Sequence, residues 1–141
     1  MAVYDAQLNN TARATTQYTD LDLFFGRKSS NNDVRQVTDA QAVKRSLRNL
    51  VQLNTYEKPF HPEIGSGIRG MLFELMSPFV AAQLTKKIED VINNFEPRAR
   101  LVSVRSIPDY DRNAYEVSVE FYIVNAPTEL VDFSIMLERL R

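Results

Sequence analysis

Tyr115-Glu116-Val117-Ser118-Val119-Glu120-Phe121-Tyr122-Ile123 is the stretch on which the fold turns. Tyr115, Val117, Val119, Phe121 and Ile123 alternate with Glu116, Ser118, Glu120 and Tyr122, the period-two pattern of a strand with one buried face. On its C-terminal side, Asn125-Ala126-Pro127-Thr128 reads as a turn, after which Val131, Phe133, Ile135 and Leu137 alternate again. On its N-terminal side, Leu101 to Ile107 is rich in β-branched residues and stops at Pro108, and Asp109 to Asn113 forms a polar turn. Three consecutive strands joined by short turns predict an antiparallel meander. One face of that sheet is apolar and needs cover.

The residues before it supply amphipathic helices. A helix is expected from Asp39 to Asn54, capped by Thr38 or Asp39, with Val43, Leu47, Leu50 and Val51 at helical spacing. Lys44, Arg45 and Arg48 lie off that stripe and read as a solvated face. The prolines and glycines of Thr55 to Gly67 specify a shaped loop. A short helix is expected over Ile68 to Leu75, with Ile68, Met71, Leu72 and Leu75 on one side. Ser77-Pro78 then restarts a helix, a capping hydroxyl followed by proline at the first helical position. Val80, Leu84, Ile88, Val91, Ile92 and Phe95 line it until Glu96-Pro97 ends it. The fold class that follows is α+β, a C-terminal three-stranded antiparallel meander covered by amphipathic helices.

Residues 1–38 form a polar N-terminal arm, partly extended, and 39–141 a single α+β domain. The arm is rich in Asn, Thr, Gln and Ser, a composition too polar to offset the entropy of ordering by burial. Leu21, Leu23 and Phe25, alternating with Asp22 and Phe24, suggest a short strand or an extended piece that docks by one face.

Composition removes most chemistry. With 17 basic and 18 acidic side chains the formal net charge is −1, which speaks against duplex binding. There is no cysteine, so thiolate catalysis and Cys-based zinc sites are excluded. A single histidine, His61, leaves no histidine dyad, and it reads as hydrogen-bonded within its loop. No cofactor and no metal is implied. No stretch approaches the roughly 18 apolar residues that span a bilayer, and the N-terminus lacks a secretory signal; no membrane partner and synthesis in the cytoplasm are expected. Gly65-Ser66-Gly67-Ile68-Arg69-Gly70 has the letters of a dinucleotide loop but follows a proline loop instead of a strand, outside the context that gives the letters meaning. The remaining enzymatic option is a glycoside hydrolase using two of Glu63, Glu74 and Glu96, which would need one of them desolvated and protonated.

Two motifs carry a resemblance. Lys58-Pro59-Phe60-His61-Pro62-Glu63-Ile64-Gly65 is followed by Leu72-Phe73-Glu74, and Asn94-Phe95-Glu96-Pro97-Arg98 links the long helix to a strand. Together with the meander, this resembles the baseplate wedge, or sheath-initiator, family of contractile phage tails, over roughly residues 40–137. Baseplate components of type VI secretion and of related particles belong to the same family, and some members carry a lysozyme label. The resemblance implies a virion tail baseplate protein, assembled in the host cytoplasm, with a fold like the inner domain of a sheath subunit. It implies a structural role and no enzyme. Its partners would be other baseplate wedge proteins and the tail sheath protein, with tail tube or hub as further neighbours.

By that resemblance, Glu96, Pro97 and Arg98 contact the wedge core bundle. In an extended backbone Glu96 and Arg98 project to one side, with Pro97 stiffening the segment. Pro59, Phe60, Pro62 and Gly65 shape the structural loop. Val131, Phe133, Ile135 and Leu137 mark the strand that templates the first sheath ring by β-strand addition. A protein-interaction adaptor unrelated to tails is the other reading beside the hydrolase.

Overall fold

The computed structural model describes residues 17–124 and 126–139. The chain divides into two compact units, up to Asp39 and from Ala40 onward.

In the first unit, β1 (Thr19–Leu21) pairs antiparallel with β2 (Gln36–Thr38), with Asp20 opposite Val37. The connecting segment turns its apolar side chains to solvent and buries an acid. Leu21, Leu23, Phe24 and Phe25 are exposed, whereas Asp22 is buried. Asp22 is held in because its N–H donates to the Arg35 carbonyl and its carboxylate accepts from the Phe24 N–H. Polar side chains of this type fold back on nearby backbone in turns. The first half of the arm, residues 1–16, lies outside the described residues.

In the second unit, α1 (Asp39–Gln52) buries Ala42, Val43, Leu47, Leu50 and Val51. Asp39 does not cap it. The Asp39 carboxylate accepts from the N–H groups of Gln17 and Tyr18 within the first unit, and Asp39 itself has a positive φ of 46°. The expected helix over 68–75 is a single turn, α2 (Ile68–Met71). Gly67 at its start offers no capping side chain and Gly70 favours the unfolded backbone. Its stripe breaks accordingly, with Ile68 and Leu72 buried and Leu75 77% exposed. α3 (Pro78–Phe95) starts as the sequence demands, the Val80 N–H donating to the Ser77 hydroxyl with Pro78 in the first turn. Val80, Leu84, Ile88, Val91 and Ile92 are all buried.

The sheet has the order β3 (Ala99–Asp109), β4 (Ala114–Ile123), β5 (Ala126–Glu138), antiparallel throughout. Its apolar face carries Val117, Val119, Phe121, Val131, Phe133, Ile135 and Leu137, all buried. Phe121 and Phe133 meet edge to face, ring centroids 6.2 Å apart, a geometry aromatic quadrupoles favour. α3 packs beside β3. β3 and β5 are longer than expected. Pro108 lies inside β3 opposite Tyr115, tolerated because β3 is an outer strand and a missing N–H there costs no ladder bond. The segment read as a turn at Ala126–Thr128 is the start of β5, with a register irregularity beside Ile123.

Candidate functional site

Three features of the second unit answer to the sequence motifs, and they differ in what they present to solvent.

The first is the stop of α3. Glu96 closes the helix with its N–H on the Ile92 carbonyl, and its own carbonyl accepts from Ala99. Residues 96–99 therefore form a tight turn with Pro97 at its exposed corner, in place of the extended segment expected. The side chains point at each other. Arg98 Nε donates to Glu96 Oε1 at 2.7 Å and Nη2 to Oε2 at 3.0 Å, a bidentate fork, and the Ser46 hydroxyl of α1 donates to the same Oε2. The Glu96 side chain is 5% exposed and that of Arg98 24%. Burial pushes the Glu96 carboxyl up, but the hydrogen bonds from Arg98 and Ser46 and the Arg98 charge outweigh it and hold the group below the ordinary carboxylate range. Glu96 is thus an internal acceptor tying the helix stop to α1. Pro97 and part of Arg98 form the outward surface. Ser46 was not legible as part of this site; its only signal is a polar residue beside the apolar stripe of α1.

The second is the loop between α1 and α2. Gly65 is there because nothing larger fits: an added Cβ would lie 2.5 Å from the Asn54 carbonyl carbon and oxygen. Ser66, fully buried, donates its hydroxyl to the Val51 carbonyl at 2.6 Å and its N–H to the Leu53 carbonyl at 2.7 Å. Tyr56 N–H donates to the Pro62 carbonyl, and the Glu57 carboxylate accepts from both the backbone and side-chain nitrogens of Asn54. His61 Nδ1 lies 3.1 Å from Glu63 Oε1, so the histidine is bonded within its loop. These bonds push Phe60 fully into solvent, 97% exposed and at φ 66°, between the exposed prolines Pro59 and Pro62.

The third is β5. Val131, Phe133, Ile135 and Leu137 face the core and are buried, so they fix the strand against the domain. The Arg139 N–H donates to the Asn113 carbonyl, which sets the phase of the ladder: odd-numbered residues bond to β4. From Leu130 to Glu138 the even-numbered residues therefore turn their N–H and C=O groups to the open side. Ser134 shows this directly, its carbonyl accepting from Arg48 Nη2 of α1 at 3.3 Å. Arg48, read from sequence as merely solvated, touches this edge.

The glutamates do not assemble into acid–base machinery. Glu63 and Glu96 are both held below the ordinary carboxylate range, Glu63 chiefly by its own backbone N–H and by His61, opposite to the raised acid that glycoside hydrolysis needs. Glu74 is exposed after α2. A cavity of about 280 Å³ lined by Val51, Ile68, Arg69, Leu72, Leu137 and Glu138 contains none of the three.

A protein-family model described as "Baseplate wedge protein gp25" matches residues 37–128. Baseplate wedge protein gp25 of Enterobacteria phage T4 is 29% identical over 120 residues, 85% of this chain and 90% of that protein. A Geobacter sulfurreducens protein provisionally described as a tail lysozyme superposes with a TM-score of 0.63 at 18% identity, covering 74% of this chain and 97% of that one. A chain of the 6-fold symmetrised baseplate of the anti-feeding prophage gives a TM-score of 0.61 at 20% identity, over 88% and 87%. One from the type VI secretion baseplate complex gives 0.53 at 15%, over 69% and 92%. At these identities the three structures establish a shared fold.

Proposed function

The chain belongs to the baseplate wedge protein gp25 family, and on that premise we propose that it joins the wedge through the turn at Glu96–Arg98 and offers β5 as the template for the first sheath strands. Its general role follows from the family: it is a structural, non-catalytic component of the baseplate of a contractile tail apparatus.

The observation that carries the templating reading is the open edge of β5. From Leu130 to Glu138 five successive even-numbered residues turn their backbone groups outward there, with no neighbouring strand among the described residues. Unpaired N–H and C=O groups along a straight edge are the surface on which another strand adds. The other outer strand suits this less well, because β5 pairs without a break from Leu130 to Glu138, whereas β3 is interrupted by a register irregularity at Leu101–Ser103 and carries a proline at 108. At the wedge contact the residues divide the work. Pro97 and Arg98 meet the core bundle, while Glu96 and Ser46 hold the guanidinium in place.

The test is a pull-down of wild-type chain, Arg98→Ala and Glu96→Gln against the other wedge proteins, with thermal melts of each. Arg98→Ala is expected to lose the wedge partner while staying folded at working temperature. Full binding by a folded Arg98→Ala chain would reduce the motif to an internal clasp.

A further inference from the structure

The same face that leaves β5 open is charged in a way the fold does not use. On the outward side of the sheet, β4 presents Glu116 and Glu120 and β5 presents Asp132 and Glu138. Asp132 lies directly opposite Glu120 in the β4–β5 register. Two carboxylates facing each other across a strand pair are destabilising. Among the described residues Glu120 is offered only the Ser103 hydroxyl, at 2.8 Å, and Asp132 and Glu138 form no salt bridge. The cations of this face, Arg100 and Arg105, are on β3, the far side of the sheet. The edge strand is therefore the acidic side. Between its two acids lies Ser134, whose carbonyl is taken by Arg48, a cation reaching over from α1.

We infer that the β5 edge selects a strand bearing Lys or Arg opposite Asp132 and Glu138, and that Arg48 is an internal stand-in which the incoming strand displaces. The inference rests on the strand-addition reading above and adds the chemistry of the partner. A strand laid beside β5 brings its side chains against Leu130, Asp132, Ser134, Met136 and Glu138 on the outer face, and against Val131, Phe133, Ile135 and Leu137 on the inner. Leu130 and Met136 are 47% and 40% exposed, so they ask for apolar neighbours. The recognised pattern is apolar residues on the inner face, with cations set among apolar residues on the outer. A cation beside Asp132 also relieves the Asp132–Glu120 repulsion, so it gains from both carboxylates.

The experiment appends a test strand to Arg141 of the full chain through a short Asn-Gly turn, in two versions with Lys or Glu opposite Asp132 and Glu138. Amide hydrogen exchange is read at Leu130, Asp132, Ser134, Met136 and Glu138. These outward N–H groups gain protection only if a strand pairs at this edge. The Lys strand is expected to protect them roughly tenfold more than the Glu strand, since two cross-strand pairs change from attraction to repulsion. Asp132→Lys with Glu138→Lys should invert the preference, and Arg48→Ala should raise protection with the Lys strand. No protection from either strand would overturn the strand-addition reading itself. Equal protection by both, unmoved by the charge swap, would leave strand addition standing and overturn the charge selection. Protection of these amides in the unextended chain that grows with its concentration would identify a second copy as the occupant and overturn the basic partner.

Discussion

Replacing Glu96 tests whether the helix-stop motif is built inward. The Glu96 carboxylate accepts from Arg98 Nε, Arg98 Nη2 and the Ser46 hydroxyl, and Glu96→Ala removes all of these at once. Breaking a fully buried pair by deleting one partner costs about 3–5 kcal/mol. Here the Arg98 side chain keeps 24% exposure, so water can take up part of the released guanidinium, and the expected loss falls to about 2–3 kcal/mol. For a unit of this size that corresponds to a Tm lower by about 8–12 °C. Urea denaturation followed by circular dichroism at neutral pH measures the first figure and a thermal melt the second.

Glu96→Gln adds a pH signature. The folded-state pKa is depressed, so the unfolded chain binds more protons than the folded one between the folded and unfolded values, and stability rises with pH there. The contribution is complete above the unfolded value near 4.5 and is lost as pH falls through the folded one. Wild type and Glu96→Gln should therefore differ most near neutrality and converge in acid. A Glu96→Ala chain within about 0.5 kcal/mol of wild type at neutral pH would refute the internal clasp. A gap between wild type and Glu96→Gln that persists undiminished in acid would refute its electrostatic origin.

Other changes test the loop and the core. Gly65→Ala places a Cβ 2.5 Å from Asn54 backbone atoms and should destabilise by about 3 kcal/mol or more, read from the urea midpoint; a neutral result would show that the loop yields. Phe60→Ala should leave Tm unchanged, since a side chain 97% exposed contributes about 0.5 kcal/mol or less. Ser106→Ala should be neutral or stabilising by up to about 1 kcal/mol, because the buried Ser106 hydroxyl has no hydrogen-bond partner among the described residues. Ile88→Ala, at a position with no exposure, should cost about 2–5 kcal/mol in the same denaturation assay.

What could be read in advance followed the strength of the local signal. Ser77-Pro78 fixes the start of α3 because cap and proline act within one turn. The alternation of β4 fixes the sheet because a one-residue slip would turn Phe121 and Val119 outward. The expected helix through Leu75 failed because an apolar spacing says nothing about caps, and Gly67 and Gly70 decide the matter. The meander's neighbours were legible but their ends were not, since whether Pro108 breaks a strand depends on its lying at an outer edge. The site was half legible. Glu96, Pro97 and Arg98 were marked, yet Glu96 faces inward because Ser46, 50 positions earlier in the chain, waits for it. Asp132 opposite Glu120 is likewise a fact of register, invisible until the strands are aligned.

The turn at the end of α3 also has a mechanical side. The Arg98 carbonyl accepts from the Val124 N–H, so the residue whose guanidinium is clasped by Glu96 is also joined to the end of β4, next to the first rungs of the β3–β4 ladder. A load entering at this turn passes directly into β3 and runs along the strand axis. Antiparallel β3, β4 and β5 pulled in that direction are sheared, with their rungs sharing the force, and are not peeled apart one bond at a time. A contact at the turn and an added strand on the β5 edge would lie at opposite ends of one stiff transmission path across the sheet.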